Sequence, residues 1–62
     1  MRTFRFLFPD NISQTVDANY YGDARILACA AQLRKGKSRE VLAAFVQKEG
    51  IWKQLDLELN PT

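Results

Sequence analysis

The amino-acid sequence predicts an α+β fold: a small three-stranded sheet of element order ββααβ and strand order 2-1-3, with two helices packed on one face. Apolar and polar residues alternate with a period of two near both ends of the chain, and two apolar stripes of helical spacing lie between them. Because 62 residues leave room for only one core, residues 1–62 are predicted to form a single small domain.

A β-hairpin is predicted over residues 3–18. Its first strand carries phenylalanine at alternate positions, and we call these residues the Phe row: Phe4, Phe6 and Phe8. Pro9–Asn11 then combines a residue with a preset φ and two residues that tolerate turn conformations. Alternation resumes from Ile12 to Ala18, so one face of both strands is expected to be buried.

The first helix is predicted from a cap at Asn19 to Lys35. Asp23 falls in its first turn, where a negative charge suits the helix dipole, and Gly36 follows its end as a C-terminal cap residue. The stripe expected to face the sheet consists of Ile26, Cys29, Ala30 and Leu33. The opposite side carries Ala24, Ala28 and Ala31, where a second helix or a second copy of the chain has room to approach.

The second helix is predicted to begin after a cap at Ser38 and to end at Gly50. Its apolar stripe consists of Val41, Leu42, Phe45 and Val46. The two helices would then meet at a tight elbow that contains Gly36.

The third strand is predicted over Trp52–Leu59. Its two faces carry Leu55, Leu57 and Leu59 on one side and Gln54, Asp56 and Glu58 on the other. Because opposite charges on neighbouring strands attract, these two acids are expected to face Arg5, which places the Phe strand at the centre of the sheet. The pattern leaves the direction of the third strand open, and it predicts a frayed end over residues 60–62.

The residue content argues against catalysis. The chain has no histidine and one cysteine, so the commonest general base and metal ligand is absent. Cys29 lies on an apolar stripe, where a thiol acts as a small hydrophobic side chain. Asp56 and Glu58 are expected on the solvent side of a strand, which is a poor place for paired acid–base catalysis. We therefore predict a protein that is not an enzyme and uses no metal and no cofactor.

A basic run provides one candidate binding site. It contains four of the nine basic residues, which are Arg34, Lys35, Lys37 and Arg39. At an elbow before a helix N-terminus, this charge would suit phosphate, so nucleic-acid binding is the alternative function. A purely structural interpretation is that cations in the last turn of a helix complement the helix dipole. Gly36–Ser38 does not complete a phosphate-binding loop, because Ala31 occupies the position of that motif's first glycine.

Aromatic residues provide the leading candidate, a protein-binding surface made by Trp52, Tyr20, Tyr21 and Leu7. Trp52 points away from the leucines of its strand, so it either stands exposed beside Leu7 or covers the end of the core. The favoured function is a small regulator or inhibitor that binds another protein or a nucleoprotein complex. Self-association as a homodimer is a further expectation, through the alanine side of the first helix or a free sheet edge.

The sequence predicts a cytoplasmic protein with no membrane partner. A single cysteine cannot form an internal disulfide. No apolar run approaches the roughly 20 residues that cross a bilayer.

Overall fold

A computed structural model of the chain describes residues 1–56 as one antiparallel sheet covered by a helix. The elements are β1 (Arg2–Phe8), β2 (Ile12–Ala18), α1 (Tyr21–Arg34), β3 (Ala43–Lys48) and β4 (Ile51–Leu55). The four strands are arranged in the order β2-β1-β3-β4. The α+β class is confirmed, whereas the predicted three-stranded ββααβ arrangement with two helices is wrong.

The predicted hairpin is confirmed. β1 and β2 pair antiparallel from Arg2 opposite Ala18 to Phe8 opposite Ile12. The turn between them places Asp10 and Asn11 at φ values of 67° and 59°. Aspartate and asparagine tolerate this left-handed region better than most residues, which explains why the turn forms there.

The core consists of the Phe row and a set of alanines. Phe4, Phe6 and Phe8 are 2%, 0% and 1% exposed. The buried alanines around them are Ala18 and Ala44 on the sheet and Ala24 and Ala28 on the helix. Burying each phenylalanine contributes about 1.5–3 kcal/mol, so this row is the main source of stability in the fold.

The helix faces the sheet with the side opposite to the one predicted. Ala24 and Ala28 are fully buried, while Ile26 and Leu33 of the predicted buried stripe are 68% and 60% exposed. The physical reason is volume: three phenylalanine rings already fill the space above β1, so the middle of the helix approaches them through the small side chains of Ala24 and Ala28.

The predicted second helix is wrong, because its residues form a loop and β3. Val41 and Leu42 lie at the end of the loop, and the Leu42 backbone N–H donates to the Leu7 carbonyl at 2.8 Å. Phe45 and Val46 lie within β3, which pairs antiparallel with β1. Six consecutive apolar residues, rich in β-branched and aromatic side chains, suit a buried strand as well as one side of a helix.

The last strand lies at the sheet edge and not beside β1. β4 pairs with β3 through a two-residue turn in which Glu49 and Gly50 have φ values of 54° and 80°. The residues directly opposite Arg5 are Thr15 and Phe45, so the prediction that the last strand lies beside Arg5 is wrong. Residues 57–62, which include Leu57, Glu58, Leu59 and the predicted frayed end, lie outside the described residues.

Gln32 ties the helix to the sheet and to the following loop. This side chain is completely buried. Its Oε1 accepts a hydrogen bond from Gln14 Nε2 at 2.9 Å, and its Nε2 donates to the Ser38 carbonyl at 2.8 Å. Because a buried amide without partners destabilises a fold, these two bonds explain why a polar residue lies on the inner side of α1.

Gly36 ends the helix, as predicted. Its φ is 69°, and its N–H donates to the Leu33 carbonyl at 3.0 Å. The Lys37 N–H donates to the Gln32 carbonyl at 2.9 Å. This pair of bonds is the Schellman motif, in which a glycine adopts the left-handed conformation after the last helical turn.

The orientation of α1 can be tested with two alanine-to-leucine substitutions on the same helix. Ala28→Leu would force three extra carbons against the Phe row and should lower the free energy of unfolding by about 1–3 kcal/mol. Ala30→Leu, on the outer side, should change it by less than about 0.5 kcal/mol. Urea unfolding of dilute protein, followed by circular dichroism, measures both values. The opposite ranking would show that the helix is turned the other way.

Candidate protein-binding face

One side of the sheet is left open by the helix. Among the four described strands, α1 contacts β1 and β2, and it does so from the side of the Phe row. The strand registers place the alternate residues on the other side, which we call the open face. Its members are Thr3, Arg5, Leu7, Ser13, Thr15, Asp17, Ala43, Phe45, Gln47, Trp52 and Gln54.

Arg5 and Trp52 form the centre of the open face. The Arg5 guanidinium carbon lies 4.3 Å from the centroid of the Trp52 ring. Because β3 separates β1 from β4, the arginine side chain must cross β3 to reach this ring. Arg5 Nε also donates to Thr15 Oγ1 at 3.4 Å. A guanidinium over an aromatic ring keeps donors that can bind a carboxylate or carbonyl oxygen.

Apolar side chains lie next to the Arg5–Trp52 contact, and polar side chains lie further out, towards the β2 edge of the sheet. Phe45 lies directly opposite Arg5 on β3, and Leu7 lies two residues further along β1. Both are half-buried. Towards the β2 edge, Thr3 Oγ1 donates to Asp17 Oδ1 at 2.7 Å. An apolar and aromatic centre with a polar rim is the composition of protein–protein interfaces.

The open face is close to electrically neutral. Along the four described strands it carries one cation, Arg5, and one anion, Asp17. The other charged strand residues (Arg2, Lys48 and Lys53) alternate to the helix side of the sheet. A polyanion would therefore find little net attraction on this surface.

The four residues predicted to bind a partner do not share one surface. Trp52 and Leu7 both lie on the open face. Tyr20 precedes α1 and is 70% exposed. Tyr21 packs on the core side, with its ring centroid 6.3 Å from that of Phe4 and 5.7 Å from that of Phe6. The structure thus brings two of the four together.

Two central residues of the open face were missed from the sequence. The sequence pattern assigns Phe45 to a helical stripe, and it suggests for Arg5 only an interaction with acids. A usable signal existed for Phe45: if residues 43–48 are a strand, Phe45 falls on the face opposite Ala44 and Val46. The Arg5–Trp52 contact had no sequence signal, because it depends on the order of β1, β3 and β4.

The predicted basic site lies at the end of α1 and in the loop that follows. Arg34 is in the last turn, Lys35 is the C-cap, and Lys37 and Arg39 are in the loop; all four are exposed. The backbone N–H groups of Lys35, Gly36 and Lys37 already donate to helix carbonyls. The helix N-terminus predicted to help bind phosphate is absent at this place, because the loop leads into β3.

In the part of the chain that the structure describes, no three side chains among His, Cys, Asp and Glu gather into a possible metal site. The same part contains no helix of sufficient length and apolarity to cross a membrane.

No protein-family model, no curated protein and no solved structure matches this chain.

The Arg5–Trp52 contact can be tested by replacing arginine with methionine, which keeps the apolar stem and removes the charge. Arg5→Met should lower the free energy of unfolding by about 0.5–1 kcal/mol. It should also change the emission of Trp52, the only tryptophan in the chain. Arg2→Met, on the same strand but the opposite side, should leave the emission unchanged. Identical spectra for the Arg5→Met variant and the unmodified protein would contradict the contact.

Proposed function

We propose that this chain is a non-enzymatic protein-binding module, a small regulator or inhibitor that occupies the surface of another protein with its open face. The observation that carries this proposal is the Arg5–Trp52 stack beside Phe45 and Leu7. Tryptophan and arginine are the residue types enriched among the few side chains that dominate binding energy. Here they lie in contact on a sheet face that α1 does not cover.

The charge and shape of the open face favour a polypeptide partner. Its near neutrality gives a polyanion no long-range attraction, whereas half-buried apolar side chains offer area that a partner can dehydrate. The stacked Arg5 guanidinium can bind a carboxylate or a carbonyl oxygen of that partner. The partner we propose is thus a protein surface with apolar side chains around one such oxygen.

Nucleic-acid binding by Arg34, Lys35, Lys37 and Arg39 is the alternative. These cations are exposed and adjacent in sequence, which supports it. Against it, the loop N–H groups next to them are engaged by the helix end. The two candidate sites are also on different parts of the molecule, since the basic residues lie at the end of α1 and in the following loop, whereas the aromatic residues lie on the open face.

We further propose that the protein acts in the cytoplasm, where a single thiol stays reduced.

Site-specific photocrosslinking in the native host cells tests the proposal with a matched pair of positions. Gln54 and Lys53 are neighbours on β4, both are exposed, and they point to opposite faces of the sheet. A photoreactive residue at position 54 should form a discrete adduct with one protein, and the same residue at position 53 should not. Nuclease treatment should leave the adduct intact.

Substitutions then separate the two functions. Trp52→Ala should weaken affinity for the partner identified at position 54 by roughly 30-fold, corresponding to about 2 kcal/mol. Replacing the four cations of the basic run with glutamine should leave that affinity within roughly threefold at physiological salt. Equal adducts from both positions would contradict the open face as the binding surface. A nuclease-sensitive adduct that requires the four cations would establish the nucleic-acid alternative instead.

A further inference from the structure

A second apolar surface lies on the outer side of α1, away from the sheet. We call it the outer helix face, and its members are Asp23, Ile26, Leu27, Ala30, Leu33 and Arg34. Its three large apolar side chains, Ile26, Leu27 and Leu33, are 68%, 50% and 60% exposed. With Ala24 and Ala28 buried on the inner side, α1 is apolar on both sides, and such a helix is typically covered on both.

The outer helix face is complementary in charge to a second copy of itself. Asp23 and Arg34 are eleven residues apart, which is three turns plus about 20°, so they project along one line at opposite ends of α1. In two antiparallel helices related by a twofold axis, Asp23 of each copy lies at the height of Arg34 of the other. A parallel arrangement would instead bring each residue opposite its own like charge.

The same antiparallel arrangement is complementary in size. The twofold axis that pairs Asp23 with Arg34 passes midway between them along the helix. It therefore places the small Ala30 of one copy opposite the bulky Ile26 and Leu27 of the other. A large side chain against a small one allows close approach of two helices. The two sets of contacts are identical, as a twofold interface requires.

We propose that the chain forms a homodimer through antiparallel pairing of its outer helix faces. Each α1 then lies between its own sheet and the α1 of the other copy, and the two open faces point outwards. The α1 helix has 14 residues and is about 21 Å long, so the interface is at the small end of the usual range and the dimer is concentration-dependent. The inference does not depend on the open face being a binding surface.

Sedimentation of the 62-residue chain from about 1 µM to about 1 mM tests this proposal. The unmodified chain, of 7.1 kDa, should shift from monomer to dimer within this range. Ile26→Lys should keep it monomeric without unfolding it, because this side chain makes little contact within the monomer. An unmodified chain that stays monomeric throughout the range would overturn the proposal.

A charge exchange tests the antiparallel arrangement itself. Arg34→Glu should raise the dissociation constant roughly tenfold, since it places like charges together at both ends of the interface. The double variant Asp23→Lys with Arg34→Glu should recover affinity to within about threefold of the unmodified protein. Arg25→Glu is the matched control, because it makes the same charge change on the same helix outside the outer face. A control effect equal to that of Arg34→Glu, or a folded double variant without recovery, would overturn the arrangement.

Discussion

The Phe row and the thin layer of alanine that covers it determine the arrangement of everything else. Phe4, Phe6 and Phe8 project from one side of β1, and they are buried because α1 approaches closely through Ala24 and Ala28. Larger side chains at these two positions would increase the distance between the helix and the rings. A short chain can bury only a few side chains completely. Because three of them here are large aromatic rings, one helix is enough to complete the core.

Two surfaces follow from this packing. Since the inner side of α1 is occupied by alanine, the bulky apolar residues of the helix are left on its outer side. Since the three rings of the Phe row point towards the helix, the other side of the sheet carries the Arg5–Trp52 contact, Phe45 and the polar residues around them. The two surfaces lie on opposite sides of the molecule, so a dimer formed through the helices would still present two open faces. A partner with two copies of a target surface would then bind with increased avidity.

The sequence predicted the parts of the fold that depend on local alternation and turn chemistry. The β1–β2 hairpin, its turn at Pro9–Asn11 and the helix end at Gly36 all have local causes, and all are present. The helix orientation could not be predicted, because Ile26 and Ala28 lie on two apolar sides and only the volume of the Phe row selects between them. Val41–Val46 fits a strand or a helix equally well by spacing, and pairing with β1 decides the outcome. Of the open face, only Trp52 and Leu7 were predicted as binding residues, because Phe45 depends on residues 43–48 forming a strand and the Arg5–Trp52 contact depends on strand order.

The contact between the Phe row and the inner side of α1 can be observed directly by nuclear Overhauser effects between aromatic protons and methyl groups. The Phe6 ring should give strong effects to the methyl groups of Ala24 or Ala28 and none to those of Ile26 and Leu33. Strong effects from the Phe row to Ile26 and Leu33 would contradict this packing. Ile26 and Leu33 would then be buried, and the outer helix face proposed for dimer formation would not exist.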